Sequence, residues 1–177
     1  MCPSVVRLTR QDVDVEQDPR LREAVRAIIL DDSGRVLLVR FEFPPDFVDS
    51  VVWAAPGGGI ERGEDDVSAL QRELIEEVGL GQAPIGPLIW TRTHLVPMST
   101  GHDGQRERFY LLRTVAFDPC PTLSKSQLLS EFVTGMRWWT LDELETADAV
   151  FAPRSLPAMI KALITDGPPP HPIDVGV

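Results

Sequence analysis

The feature that most narrows the folds open to this chain is an abrupt stop. The β-rich run Val51-Val-Trp-Ala-Ala55 ends at Pro56 and is followed by Gly57, Gly58 and Gly59. Proline offers no amide to a strand ladder, while glycines permit positive φ and close approach of backbone to a ligand or ion. A helical window then runs from about Asp65 to Val78 and closes at Gly79, a residue suited to a left-handed cap. The chain must pass from sheet to helix through a turn almost free of side chains.

The helix after that turn carries an unfavourable charge pattern. At about 100° per residue, with Glu73 at zero, Glu76 falls near −60° and Glu77 near +40°, so three carboxylates share one face. Val67, Leu70, Leu74 and Val78 fall between about 60° and 140°, so the acidic stripe borders the face that packs on the sheet. Each like-charge pair costs about 0.2–0.5 kcal/mol, and the C-terminal half of the helix dipole adds a few tenths more. Arg72, four residues before Glu76, offsets part of this. A divalent cation such as Mg2+ or Mn2+, which prefers hard carboxylate oxygen, reverses the balance. A Glu-rich turn alone is usually a solvated face; the preceding glycines are what point to a site. Glu64, just before the helix, is placed to cap amides or reach back towards a metal.

The remaining chain narrows the setting. Its 177 residues, 43% hydrophobic and 25% charged, suit one soluble globular domain with a core that needs no disulfide. Cys2 and Cys120 belong to no cysteine motif and read as reduced thiols of a cytoplasmic protein. No run approaches the roughly 18–20 apolar residues of a membrane span, and Met1 to Arg10 lacks a signal-type segment. No membrane partner is expected. The net charge of −10 opposes binding of polymeric nucleic acid but leaves small anionic substrates, reached through a cation.

Residues 1–20 are polar and aperiodic and read as an N-terminal arm, 21–166 as the domain, and 167–177 as a Pro-rich C-terminal tail. Ala24–Leu30 and Arg35–Arg40 flank Asp31-Asp-Ser-Gly34 and predict a hairpin. Further strands are expected at Pro87–Thr93, Arg108–Val115 and Met136–Trp139, the first two separated by a polar loop from Pro97 to Gln105. A capping box at Thr140–Glu143 opens a short helix, and Pro153–Thr165 forms the last one. The mixed order predicts an α+β domain with a mixed β-sheet flanked by helices.

Gly58, five residues, Glu64, seven residues, then Arg72-Glu73-Leu74-x-Glu76-Glu77-x-Gly79-Leu80 resembles the complete Nudix box. The resemblance covers roughly residues 20 to 165, since the Arg137-Trp138-Trp139 strand and its following helix are also similar to that family's domain. It implies a Nudix-type α/β/α sandwich. It also implies metal-dependent hydrolysis of a pyrophosphate bond in a nucleoside diphosphate linked to another moiety, of nucleotide-sugar or nucleoside triphosphate type, by water attack at phosphorus. The implied cofactor is Mg2+ or Mn2+.

Carried over by position, Glu73, Glu76 and Glu77 become metal ligands together with the Gly57 carbonyl. Arg72 orients the carboxylates, and Gly58, Glu64 and Gly79 hold structural or outer positions. A further acidic residue serves as general base, with Glu131 the first choice and Glu107 the second. Arg92, Arg106 and Arg108 are the candidates for phosphate contact, although 15 of the 17 basic residues are Arg, which weakens that signal. His94 and His102 are further candidates for phosphate contact or proton donation. Trp53, Phe41, Phe43 and Phe47 lie near the strands leading into the box; core packing is the commoner role for such rings, and base stacking the alternative.

Tyr110 is too far from the box to match the diadenosine-polyphosphate marker, and Pro97 matches the ADP-sugar spacing only imperfectly. Neither cysteine is placed like that of the Nudix-fold isomerases. The alternative reading is a non-catalytic Nudix-fold sensor that binds a nucleotide. Such modules usually lose box carboxylates, and none is missing here. Many relatives pair as homodimers, but no feature of the chain reads as an assembly signal.

Overall fold

The structure, a computed structural model, describes residues 18–45, 49–96 and 101–176. Most of the expected N-terminal arm, Phe47 and Pro97 lie outside the described residues. The strands are β1 (Leu21–Asp31), β2 (Val36–Glu42), β3 (Val51–Ala54), β4 (Leu88–His94), β5 (Gly104–Thr114), β6 (Val133–Trp139), β7 (Phe151–Ala152) and β8 (Ile173–Asp174). The helices are α1 (Asp66–Glu73), which runs on into a π-helical turn over Leu74–Val78, α2 (Lys125–Ser130), α3 (Leu141–Thr146) and α4 (Leu156–Asp166).

One mixed sheet organises them in the order β7-β3-β2-β1-β5-β4-β8, with β6 added alongside β2. β1 lies at its centre and pairs in parallel with β5 from Leu21↔Gly104 to Asp31↔Thr114. A parallel central strand is covered on both faces, and β1 obeys this rule. Val25, Ala27 and Ile29 face α1, the π-helical turn and α2, while Ile28 and Leu30 face α3 and α4. Two apolar cores on opposite faces of one sheet make the α/β/α sandwich.

The predicted hairpin forms only at its base. β1 and β2 pair at Leu30↔Val36, after which β2 diverges to run between β6 and β3. The edge of β1 left open is filled by the glycine turn. The amides of Ala27 and Val25 donate to the carbonyls of Pro56 and Gly58, both at 2.9 Å, and Ile60 donates to Glu23 at 3.0 Å. At Gly57, with φ of 130°, an added Cβ would overlap the Val25 carbonyl. Only glycine fits between the two backbones.

Several boundaries differ from those expected. The helix is not uniform, because its last turn is π-helical and Leu80 closes it by donating to Leu74 at 2.9 Å. Val67, placed by the wheel on the packing face, is exposed. β5 begins at Gly104 rather than Arg108, because pairing with both β1 and β4 holds the earlier residues in the sheet. This puts Glu107 inside a strand, not at its entrance. α2 was not anticipated, although Ser124 and Gln127 form a full capping box. The segment expected as a tail returns to the sheet, where β8 pairs with β4 and Val175 donates to Thr91 at 2.9 Å.

The Gly57 contact yields a direct prediction. Gly57→Ala should cost more than about 2 kcal/mol, since it combines strained φ with a backbone overlap. Urea denaturation of the two proteins measures the difference, and equal midpoints would refute the packing argument.

Candidate active site

The glycine turn sits against the start of the π-helical turn, where Glu77 binds it and Glu73 packs against it. Glu77 is only 2% exposed, and its Oε2 accepts the Gly57 amide at 2.8 Å. Glu73 is also buried and lies so close to Gly58 that an added Cβ there would come within 2.5 Å of its Oε1. Glu76 is more accessible, at the rim. The π-helical turn therefore sends Glu77 inwards rather than leaving it at the border of the core.

Arg72 links the parts. Its Nε and Nη2 donate to the two oxygens of Glu64, both at 2.8 Å, in a planar fork. Nη2 also reaches the Gly59 carbonyl at 3.0 Å, while Nη1 donates to Glu73 at 2.7 Å and Glu76 at 3.4 Å. Glu64 in turn accepts the Glu61 amide at 2.9 Å. Hydrogen bonding by Arg72 holds the Glu64 carboxyl down at about 2.

The buried pair behaves in the opposite sense. Burial pushes Glu77 up to about 7, against the Gly57 hydrogen bond and the Arg26 charge, and burial also raises Glu73 despite Arg72. Both remain short of positive charge. Among the described residues no three acid, imidazole or thiol groups already stand in a metal-ligating arrangement. Glu73 and Glu76 both turn towards Arg72, so joint ligation requires them to rotate from it. The donor set itself, three hard carboxylates, two of them buried, beside a backbone carbonyl, fits a divalent cation.

Two arginines of β1 that sequence reasoning passed over stand beside the turn. Arg22 packs against Gly59, where an added Cβ would collide with its guanidinium, and it makes no hydrogen bond or ion pair among the described residues. Burial and the Arg26 charge lower its pKa, opposed by Glu73 and Glu131. Arg26 donates to the carbonyls of Gly57 and Ala55 and to Glu107 at 2.9 Å. A charged residue interrupting the apolar run Ala24–Leu30 was the signal available.

Glu107 occupies the centre of a polar cluster on the α4 side of the sheet. Only 4% exposed, it accepts from Arg26, from Gln105 at 2.9 Å and from Arg92 at 3.2 Å, with His94 Nε2 at 3.6 Å. Burial alone would raise its pKa, but Arg26 and Arg92 hold it below the usual carboxylate range. Burial and then Arg92 lower His94, so its imidazole is neutral at pH 7. Among the described residues the buried Arg92 Nε has no hydrogen-bond partner, a condition costing about 1–3 kcal/mol.

The other candidates are dispersed. Glu131 ends α2, exposed, with no side-chain hydrogen bond among the described residues, yet its charge is felt at both Arg22 and Glu77. Phe132, at φ of 63°, reverses the chain directly after it. Arg106 and Arg108 point to the opposite face from Glu107. The first pairs with Glu23, and the second with Glu23 and Asp66, where Tyr110 also donates at 2.7 Å. Arg108 ties α1 to the sheet, and Arg106 braces β1 against β5, rather than facing the turn. Trp53 meets Trp139 edge-on at 4.9 Å, within the α4-side core. Phe41 near the end of β2 and Phe43 just after it stack at 6.2 Å, and His102 lies in the loop before β5.

A family model described as the NUDIX domain matches residues 20–159. An RNA pyrophosphohydrolase of Saccharophagus degradans is 37% identical over 115 residues, covering 59% of this chain and 64% of the relative. The chain thus spans less than two thirds of that relative. The nucleoside triphosphatase NudI of Escherichia fergusonii is 35% identical over 104 residues, 58% of this chain and 71% of its own. Among solved structures, a MutT protein from Methanosarcina mazei Go1 superposes with a TM-score of 0.63 at 18% identity, covering 85% of this chain and 99% of that one. The NUDIX domain of Shewanella oneidensis NrtR, solved with ADP-ribose, gives 0.60 at 18%, covering 89% and 100%. These two likenesses concern the fold alone. No helix among the described residues is long and apolar enough to cross a membrane.

The raised Glu77 makes a pH prediction. The native state favours the protonated form, so metal-free protein should lose stability as pH rises from about 4.5 to about 7 and stay lower above it. In Glu77→Gln that decline should flatten by a few kcal/mol. Melting temperatures across pH 5–8 in a chelator test this, and parallel profiles would contradict it.

Proposed function

Since this chain belongs to the Nudix family, with the domain over residues 20–159, we propose that it is a metal-dependent pyrophosphohydrolase. Its substrates are nucleoside diphosphates linked to a further group, of nucleoside triphosphate or nucleotide-sugar type. The observation that carries this reading is the burial of Glu73 and Glu77 against the glycine turn, with too few donors to balance them. Such an arrangement is unfavourable unless a cation is bound. Curated relatives named RNA pyrophosphohydrolase and nucleoside triphosphatase add support.

In this proposal Glu73, Glu76, Glu77 and the Gly57 carbonyl hold Mg2+ or Mn2+, which when bound neutralises charge on the phosphoryl oxygens and lowers the pKa of water. Arg72 and Glu64 fix the carboxylates at the correct spacing. Glu77 keeps the Gly57 peptide in place through its amide, while Arg26 holds the carbonyl side. Arg22, on β1 against the same turn, presents a guanidinium with no hydrogen-bond or ion-pair partner among the described residues, suited to a phosphate oxygen. Glu131 is the general base rather than Glu107, because both carboxylate oxygens of Glu107 accept from donors whereas Glu131 has no side-chain hydrogen bond among the described residues. The sensor alternative has no observation favouring it, as all box carboxylates are present.

Formation of the nucleoside monophosphate (or monophosphate-ended RNA) together with pyrophosphate or sugar phosphate should be measured across nucleoside triphosphates, nucleotide sugars and triphosphate-ended RNA with Mg2+ and with Mn2+. Turnover of at least one class is expected, and binding without turnover of any would establish the sensor instead. Glu76→Gln should lower turnover by more than about 10²-fold and abolish most of the metal-induced rise in melting temperature. Glu131→Gln should reduce turnover about 10²-fold while leaving that rise intact. If Glu107→Gln alone did so, the assignment of the base would be reversed.

A further inference from the structure

The α4-side face of the sheet is apolar along Ile28, Leu30, Trp90, Phe109 and Leu111, but it ends in a cluster of charge. Register explains the convergence. Arg92 on β4 stands opposite Glu107 on β5, His94 stands opposite Gln105, and Arg26 on β1 lies beside Phe109, one residue pair along. Alternation puts all five polar side chains on one face. Glu107 accepts from Arg26, Gln105 and Arg92, so its own requirements are met.

Those of Arg92 are not. Its Nη1 holds Glu107, while its buried Nε–H has no acceptor among the described residues. Two guanidiniums face one carboxylate, which leaves one net positive charge. Side-chain exposures of 13% for Arg92 and 19% for His94 mark where the cluster reaches solvent. Through Glu107 and Arg26 it is connected to the Gly57 carbonyl.

We propose that Arg92 and His94 form an anion subsite for a phosphate oxygen of the substrate, one ion pair removed from the glycine turn, with Glu107 as its positioning residue. The proposal rests on the hydrolase reading for its place in the reaction but not for its ligand chemistry. The subsite supplies a directed N–H donor, a neutral imidazole and a net positive charge, which together suit a tetrahedral oxyanion. It favours substrates that carry a further phosphate beyond the β-phosphate over those that carry a neutral sugar there.

Calorimetric titration of metal-free protein with inorganic tripolyphosphate, and separately with citrate, tests the ligand. Wild type should bind tripolyphosphate, and Arg92→Lys, which keeps the charge but lacks the Nε–H, should bind it about tenfold more weakly. His94→Gln, at the exposed rim, should weaken it severalfold and provides the readout if the buried substitution prevents folding. In turnover, Arg92→Lys should raise KM for triphosphates severalfold more than KM for nucleotide sugars, with kcat little changed. Absence of tripolyphosphate binding by wild type, equal affinity in wild type and both variants, or citrate bound as tightly would overturn the proposal. Loss of all turnover activity with tripolyphosphate binding intact would count against the hydrolase reading instead.

Discussion

The candidate site depends on three backbone hydrogen bonds between β1 and the segment Pro56–Ile60. They exist because β2 leaves β1 after a single rung and exposes an edge that the glycine segment then satisfies. A buried strand edge cannot go unpaired without the cost of orphaned polar groups. The turn is consequently part of the sheet, not a loop above it. Its rigidity follows from the central strand rather than from its own sequence, which is conformationally the most permissive in the chain.

On that base the carboxylates are placed by competing demands. Packing draws the helix onto the sheet through Ala69, Leu70, Leu74 and Val78, and the π-helical turn brings Glu77 into the same interface. π-helical turns inside α-helices occur often at functional positions, and here the consequence is concrete: a glutamate buried where hydrophobic packing alone would put an apolar residue. Arg72 limits the cost by drawing Glu64, Glu73 and Glu76 into one network. The remaining imbalance is what a cation would relieve. A second imbalance, of opposite sign, lies across the sheet edge at Arg92. Arg26 touches both regions, donating to the turn on one side and to Glu107 on the other.

Readability of the site in the sequence varied with the range of the interactions. The box residues Gly58, Glu64, Arg72, Glu73, Glu76, Glu77 and Gly79 lie within one stretch of chain, and their spacing carries the resemblance. Arg106 and Arg108 were chosen by residue type alone, and strand alternation turned them to the face where Glu23 and Asp66 bind them. Glu107 looked like a free acid at a strand entrance because its three donors come from β1, β4 and its own strand. Arg26 breaks the apolar run Ala24–Leu30, which marks it without telling what it binds, while Arg22 sits among other charged residues and has no such mark. α2 was overlooked although its capping box was present, since its six residues are too few to show a helical period.

By itself the sequence determined the order of most strands and helices, the stop at Pro56 and the grouping of three acids on one helical face. Periodicity, capping and backbone permissiveness are local properties, and local properties are written in neighbouring residues. Only the tertiary structure decided that β1 pairs in parallel with a strand some eighty residues away, at Leu21↔Gly104. The inward turn of Glu77 and the surrounding of Glu107 by two arginines were decided there too. Those outcomes depend on which distant edges and charges the packed sheet brings within hydrogen-bonding reach, and no stretch of neighbouring residues encodes that proximity.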